Sequence, residues 1–183
     1  MNVADIRFHA KDTLALAHIF EVRAAKYGLW TTVVDVSTLA IPMLVGLIAM
    51  TYELGADWLK VVIGVAGTLL IVQAFLDLMS RAFKWRKTTK KALAASKSYV
   101  ALNNEWDRLG RGDGDSDSKH VESLVAEENR LSEKTVKLNL TPRESRFGER
   151  YALHYYLMPC PQCKVVPKDP FAGRRDQCPS CGR

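Results

Sequence analysis

Two long apolar stretches, separated by a short polar segment, dominate the hydropathy pattern of this chain. The first, residues 36–52, carries no charged side chain over 17 positions, and the second, residues 61–76, carries none over 16. As helices with a rise of about 1.5 Å per residue, they cover roughly 24–26 Å, slightly less than the hydrocarbon core of a bilayer. Flanking turns complete each span. We therefore predict a membrane-spanning helical hairpin within residues 29–80, with spans at about 29–52 and 59–80.

The alternative for apolar stretches of this length is a buried helical pair in a soluble bundle. The periodicity argues against it, because residues 39–50 and 61–72 are apolar on nearly every face. A soluble helix normally keeps one polar stripe. No cleavable signal peptide precedes the first stretch, so we expect the hairpin itself to direct insertion.

Basic residues cluster at one end of the predicted hairpin. Arg23 and Lys26 precede the first span and six basic residues lie within residues 81–91, whereas the turn offers only Lys60. The positive-inside rule then predicts that both termini lie in the cytoplasm. We expect anchors at the membrane interface from aromatic and basic residues near the span ends, namely Trp30, Trp58, Arg81, Lys84 and Trp85.

Helical periodicity continues on both sides of the hairpin. Residues 1–28 are predicted to form a cytoplasmic helix that runs into the first span, and the helix of the second span is predicted to continue through residues 81–109. Residues 110–118 (GRGDGDSDS) form a flexible linker, because they cannot bury apolar surface. Residues 119–157 are a further helical segment, in which the sequence Thr-Pro-Arg-Glu at 141–144 marks a helix start. The apolar stripe of the extension consists of Ala92, Ala95, Tyr99, Leu102, Trp106 and Leu109.

Two acidic residues lie at the cytoplasmic ends of the spans. A hairpin would place Asp35 and Asp77 at a similar depth, and ionisable groups in a span usually face a partner, a polar cavity or the interface. One interpretation is a ring of carboxylates at the inner mouth of an oligomeric pore, with Gln73 extending the polar track and cations favoured. The other is interfacial: Asp77 pairs with Arg81 one turn on, and Asp35 snorkels or caps a helix.

All four cysteines lie in the C-terminal segment 158–183. They form two CxxC pairs, Cys160 with Cys163 and Cys178 with Cys181, separated by 14 residues. This spacing is typical of a zinc ribbon, and four thiolates would fill a tetrahedral Zn²⁺ site, which makes the metal structural. Disulfides would suit an exported domain, but the predicted orientation places these thiols in the reducing cytoplasm. A redox CxxC normally comes as one pair near a βαβ pattern, which is absent.

Charge is unevenly distributed along the chain. Residues 81–183 hold 21 basic and 13 acidic side chains, whereas residues 1–80 hold 5 and 7. A basic excess is compatible with a region that lies beneath an anionic leaflet and equally with a region that contacts nucleic acid.

Several segments together resemble a known prokaryotic family. Residues 17–25 (AHIFEVRAA), residues 41–46 (IPMLVG), the Ile-Val-Gln sequence at 71–73 and the Lys-Trp pair at 84–85, with the terminal cysteine pairs, are similar to the mobilome CxxCx(11)CxxC proteins, which are related to SLATT two-transmembrane domains. One departure is the gap between the cysteine pairs, which is 14 residues here and 11 in the family description. The resemblance implies an inner-membrane protein of mobile elements and anti-phage conflict. SLATT-like domains are proposed to oligomerise into pores, triggered by a nucleotide signal or a partner protein.

The expected fold is mainly α: a two-helix membrane hairpin with long cytoplasmic helical extensions and a small zinc ribbon. The first functional hypothesis is a homo-oligomeric membrane effector that forms a pore or disrupts the bilayer, with the ribbon as its sensor. The alternative is a membrane-anchored adaptor whose ribbon recruits protein or nucleic acid. An enzyme is not expected, since no Ser-His-Asp or Cys-His constellation, phosphate loop or open metal site is evident.

Overall fold

The computed structural model describes residues 2–51, 58–82, 84–112, 118–171 and 178–182. Helices make up most of these ranges, and no strand occurs within them, so the mainly α fold class is confirmed. In chain order the helices are α1 (Val3–Thr51), α2 (Trp58–Ala82), α3 (Trp85–Arg111), α4 (Ser118–Val136) and α5 (Pro142–Tyr155). The predicted hairpin turn at residues 53–57 and most of the predicted linker, residues 113–117, lie outside the described residues.

Helix α1 is one continuous helix of 49 residues, which includes both the predicted N-terminal helix and the predicted first span. Pro42 lies inside it without ending it. A proline removes one backbone hydrogen bond, and apolar spanning helices tolerate this loss where neighbouring groups and small local adjustments compensate for it.

The prediction of one unbroken helix through residues 81–109 is wrong. Helix α2 ends at Ala82 and α3 begins at Trp85, with Lys84 between them in the left-handed region at a φ of 53°. Arg81, Lys84 and Lys87 follow one another at three-residue spacing. A continuous helix would therefore align three positive charges on one face, which is unfavourable.

The chain divides into two compact units. We call residues 24–90 the apolar unit, and residues 1–23 together with 91–183 the core unit. Helices α1 and α3 each contribute residues to both units.

The apolar unit contains most of the apolar surface that the chain leaves uncovered. Val3–Ile48 of α1 and Ile63–Ala82 of α2 are long and apolar enough to cross a membrane, each with a mean hydropathy of 1.8 in its most apolar window. Only 6% of each window is buried, and Met43 and Ile71 are 74% and 72% exposed. A core helix of a soluble protein would bury most of these side chains. Length and composition thus permit membrane crossing.

The core unit packs four helical segments around large aromatic side chains. Phe20 of α1 lies against Tyr99 of α3, with their ring centroids 5.8 Å apart, and Trp106 of α3 is fully buried. Leu124 and Leu131 of α4 are also buried. The buried face of α3 contains Ser96, Asn103 and the whole stripe that the periodicity indicates, Ala92, Ala95, Tyr99, Leu102, Trp106 and Leu109.

Helix α5 lies very close to α1, and the start of α5 is fixed by a capping box. Thr141 Oγ1 accepts a hydrogen bond from the Glu144 backbone N at 3.2 Å, and the Thr141 backbone N donates to Glu144 Oε2 at 2.9 Å. Further along, a Cβ atom on Gly148 would lie only 2.4 Å from Ile19 Cγ1 and 2.7 Å from the Ala15 carbonyl oxygen. Only glycine allows this approach, which positions α5 to hold the cysteine segment.

Candidate metal centre and span-end charges

The four cysteine sulfurs lie within 4.8 Å of one another in the core unit. Sγ of Cys160 is 3.8 Å from Sγ of Cys178, and Sγ of Cys163 is 3.7 Å from Sγ of Cys181. These separations are too long for disulfide bonds. A tetrahedral ion with metal–sulfur bonds of about 2.3 Å requires sulfur–sulfur edges of about 3.8 Å. The residues therefore fit a four-thiolate metal site, as the spacing predicts.

Two turns of equivalent backbone geometry present the thiols. In the first, the Lys164 backbone N donates to the Cys160 carbonyl oxygen at 2.8 Å, and in the second Gly182 N donates to Cys178 O at 2.8 Å. Both closing residues have positive φ, 58° at Lys164 and 63° at Gly182. Glycine adopts this conformation at little cost, whereas a lysine does so only where its surroundings require it. The match of the two turns indicates that both are shaped for the same ion.

Arg150 of α5 connects the helical core to this cluster. It is 7% exposed, and its Nε donates to the Asp169 carbonyl oxygen at 3.1 Å. Its Nη1 donates to the carbonyl oxygens of Gly182 at 3.1 Å and Cys181 at 3.4 Å. Its Nη2 lies 3.1 Å from both carboxylate oxygens of Asp169. One side chain thus holds two separate parts of the cysteine segment.

Two further residues of α5 support the same segment. Leu153 is 1% exposed and packs in one apolar cluster with Cys160, Cys178 and Cys181. His154 Nδ1 lies 3.0 Å from the Pro167 carbonyl oxygen. Because a carbonyl only accepts, Nδ1 carries the proton in this hydrogen bond. The cysteine segment is therefore docked on α5 by packing and by hydrogen bonds.

The protein environment separates the acidities of two of the thiols. Hydrogen bonds from the backbone N–H of Cys181, and further from that of Ser180, lower the pKa of Cys178 to about 6. Burial, together with hydrogen bonds among the neighbouring thiols, raises the pKa of Cys181 to about 12. Metal binding requires thiolates, so proton release accompanies it. A divalent ion held by four thiolates would retain negative charge, and the guanidinium of Arg150, which donates to the Cys181 and Gly182 carbonyl oxygens, would partly offset it.

Three polar residues of the apolar unit were predicted to line a pore; two are paired with arginines and the third has a buried side-chain oxygen. Asp77 accepts a hydrogen bond from Arg81 Nη2 at 2.7 Å, one turn on, and Asp35 pairs with Arg86. The pairing of Asp77 agrees with the interfacial alternative. Oε1 of Gln73 is buried, and no hydrogen bond to it is found in the described part of the chain. The pore role of these three residues stays a prediction.

Four of the predicted interface anchors lie near the junction of α2 and α3. The rings of Trp30 and Trp85 lie 6.2 Å apart at an interplanar angle of 44°. Lys84 is the left-handed residue between the two helices. Arg81 lies in the last turn of α2. The side chain of Trp58 is outside what the structure describes.

Sequence reasoning missed Arg150, His154 and Lys164 as supports of the metal centre. Arg150 and His154 are one turn apart on α5 and flank Leu153, so their spacing places them on one face with an apolar neighbour. The sequence does not show that this face of α5 packs against the cysteine segment. No sequence pattern singles out Lys164, because its left-handed backbone conformation depends on the three-dimensional structure of the turn.

A family described as Mobilome CxxCx(11)CxxC protein matches residues 2–183. No curated protein and no solved structure matches the chain. The three additional residues between the cysteine pairs lie within residues 164–177, of which 172–177 are outside the described residues.

Proposed function

The chain belongs to the mobilome CxxCx(11)CxxC protein family, and from this we propose that it is a membrane effector of a mobile element in conflict with phage. In this proposal α1 and α2 insert into the inner membrane as a two-span hairpin, with both termini in the cytoplasm. Several copies associate through the hairpin and permeabilise the bilayer. The core unit, which carries the four-cysteine site, senses a protein or a nucleotide signal, and we expect overproduction or a high protein-to-lipid ratio to permeabilise the membrane without that signal.

The observation that carries the proposal is the uncovered apolar surface of α1 and α2. Their most apolar windows are only 6% buried, so almost all of their side chains need lipid or other helices around them. Exposing such a large continuous apolar surface to water would be unfavourable. Two helices satisfy their own backbone hydrogen bonds and are therefore suited to a bilayer.

Small residues on the spans support association between copies. A Cβ atom on Gly46, Gly64 or Gly67 would meet nothing within 4 Å, so packing within one chain does not require these glycines. Small residues let neighbouring membrane helices approach closely. An apolar groove of about 350 Å³ runs between the two helices and offers space for a side chain of another copy; its lining is Ile41, Leu44, Val45, Ile48, Val65, Ala66 and Leu69.

Zn²⁺ is the metal we propose for the four cysteines. A closed tetrahedral set of thiolates suits Zn²⁺ and leaves no open coordination position, so the ion has a structural role. Iron is the other common metal for this donor set. Elemental analysis of the purified protein should give one zinc per chain, and a Cys160→Ser variant should lose it. An iron content of one per chain, with visible absorption, would contradict this assignment.

A second candidate function is a membrane-anchored adaptor. The observation that favours it is that Asp35 and Asp77 each have an arginine partner within the chain, so neither carboxylate needs a pore to accommodate it. In this case the hairpin only tethers the core unit, and the metal centre with its basic neighbours Lys164 and Lys168 recruits protein or nucleic acid.

Reconstitution into liposomes loaded with a fluorescent dye distinguishes the two candidates. An effector should release dye, with a rate that rises more steeply than linearly with the protein-to-lipid ratio, because several copies must meet. Gly64→Ile combined with Gly67→Ile should reduce release, since the added bulk blocks close helix approach. Val72→Phe adds bulk elsewhere on α2 and should leave release unchanged. Dye retention at every ratio would favour the tether.

A further inference from the structure

A cavity of about 330 Å³ lies at the junction of α2 and α3, within the apolar unit. Among the described residues, the lining comes from the last two turns of α2, from Lys84 and from the first turn of α3. The lining residues are Asp77, Ser80, Arg81, Lys84, Arg86 and Lys87. Four of these six side chains are basic and one is acidic, so the cavity attracts anions.

The two arginines are already engaged, and the two lysines are not. Arg81 pairs with Asp77, and Arg86 pairs with Asp35. Lys84 and Lys87 are exposed, and among the described residues neither has an acidic partner. The positive charge of two ammonium groups is therefore not offset within the described chain. An ammonium group donates up to three hydrogen bonds, which suits the oxygens of a phosphate.

Ser80 is the second, independent indication of a ligand. It is 7% exposed and lines the cavity, and no hydrogen bond to its hydroxyl is found in the described ranges. Helical serines commonly return their hydroxyl to a backbone carbonyl one turn back, as Ser37 does to the Val34 carbonyl oxygen at 2.9 Å. Ser80 is thus a nearly buried residue that lines the cavity, and its hydroxyl has no protein acceptor among the described residues.

The start of α3 adds to the positive potential of the cavity. The first turn of α3 contains no acidic residue of its own, so no side chain of that turn offsets the positive end of the helix dipole. That turn supplies Arg86 and Lys87 to the lining. A helix start with basic side chains favours a bound phosphate.

We propose that this cavity binds the phosphate of an anionic phospholipid from the cytoplasmic leaflet. Lys84 and Lys87 donate to the phosphate oxygens from the open side, and the Ser80 hydroxyl donates from the buried side. A lipid is favoured over a soluble anion because the cavity directly follows the apolar span α2, on which Leu78 is 64% exposed and available to an acyl chain. The inference rests on the membrane insertion proposed above.

Native mass spectrometry of the full-length protein in an uncharged detergent tests the proposal. The probes are dioctanoyl phosphatidylglycerol, dioctanoyl phosphatidylcholine and inorganic phosphate. We expect phosphatidylglycerol to bind about tenfold more tightly than phosphatidylcholine. Both lipids carry the phosphate, but the quaternary ammonium of choline offsets its charge and is repelled by Lys84 and Lys87. Inorganic phosphate should not displace it. Equal binding of the two lipids would overturn the proposal, and displacement by inorganic phosphate would replace the lipid with a soluble anion.

Matched variants locate the binding. Lys84→Gln with Lys87→Gln should weaken phosphatidylglycerol binding about tenfold, whereas Lys90→Gln with Lys91→Gln, an equal loss of charge outside the cavity, should change it by less than about twofold. Ser80→Ala should also weaken binding, and Ser80→Thr should restore it. Equal effects of the two lysine pairs would show general charge attraction and would overturn the site.

Two further controls keep the result interpretable. Circular dichroism verifies that each variant retains its helix content, and Ser80→Ala tests the site without a change of charge. The liposome assay separates this inference from the proposed function. Loss of lipid selectivity with intact dye release would reject the site alone, and intact selectivity without dye release would reject the effector alone.

Discussion

The guanidinium of Arg150 donates to the carbonyl oxygen of Gly182 over 3.1 Å, and so joins helix α5 to the residue that closes the second cysteine turn. The same side chain holds Asp169 through its backbone and its carboxylate. Arg150 is 7% exposed, so these hydrogen bonds are shielded from water. The four-cysteine site is thereby part of the core unit and not an independent appendage.

Replacing this arginine should loosen the metal centre. Arg150→Met keeps most of the side-chain volume but removes every donor, which leaves the Gly182 and Asp169 carbonyl oxygens without their partner. We expect the free energy of unfolding to fall by about 2–3 kcal/mol and a chelator to remove the metal faster. Arg143→Met, an exposed position in the first turn of α5, is the matched control. Metal release at the same rate in both variants would contradict the role given to Arg150.

Gly148 and Gly110 have different surroundings, so replacing each by alanine should change the free energy of unfolding differently. Gly148→Ala places a Cβ atom 2.4 Å from Ile19 Cγ1, so the helices must separate, at a cost of about 1–3 kcal/mol. Gly110→Ala in α3 places a Cβ atom 3.6 Å from Ile6 Cγ2, an ordinary contact, and should be neutral or stabilising by up to about 1 kcal/mol. Thermal unfolding measures both. A stable Gly148→Ala variant would contradict the packing.

Acid should destabilise the core unit in part through Glu144. Partial burial opposes ionisation of this carboxyl, but hydrogen bonds from Arg23 and Thr141 outweigh it and lower its pKa to about 2, from an ordinary value of 4.5. The lowered pKa means that the stabilisation is complete above about pH 4.5 and is lost as the pH falls towards 2.

Glu144→Gln isolates this contribution, because glutamine also suits the capping box. Denaturant unfolding at pH 5, 4 and 3 should show that the stability difference between wild type and variant shrinks as the pH falls. The comparison cancels the loss of metal that acid causes in both proteins. A difference that stays constant over this range would contradict the lowered pKa of Glu144.

The proposed topology predicts the location of the C-terminal metal centre. Alkaline phosphatase fused after the C-terminus should be inactive and green fluorescent protein fused there should fluoresce, because both report a cytoplasmic end. Phosphatase inserted within residues 53–57 should be active. The reverse pattern would contradict the orientation inferred from Arg23, Lys26 and the basic residues after the second span.

Features that depend on local sequence could be predicted, and the two apolar helices and the cysteine cluster are the main examples. A run of apolar residues identifies a helix of bilayer length, and two CxxC pairs bring their thiols to one point by turn geometry. The Asp77–Arg81 pair is also local, since its members are one helical turn apart. The partner of Asp35 was not predicted, because Arg86 is 51 positions away in the sequence.

The break between α2 and α3 shows where periodicity alone misleads. Apolar residues on both sides keep helical spacing, which indicated one continuous helix. The left-handed Lys84 interrupts it, although no glycine or proline is present to signal a break. A continuous helix would align Arg81, Lys84 and Lys87 on one face, and a pattern of apolar positions does not register this charge effect. The cavity lined by Lys84 and Lys87 lies at this break.

Membrane potential, read with a voltage-sensitive dye during induced expression in bacteria, tests the central claim most directly. Wild type should depolarise the cells, and so should Val72→Phe. Gly64→Ile combined with Gly67→Ile should depolarise them less at equal abundance in the membrane. An unchanged potential with wild-type protein fully inserted in the membrane would contradict the effector and leave the tether as the function of the two apolar helices.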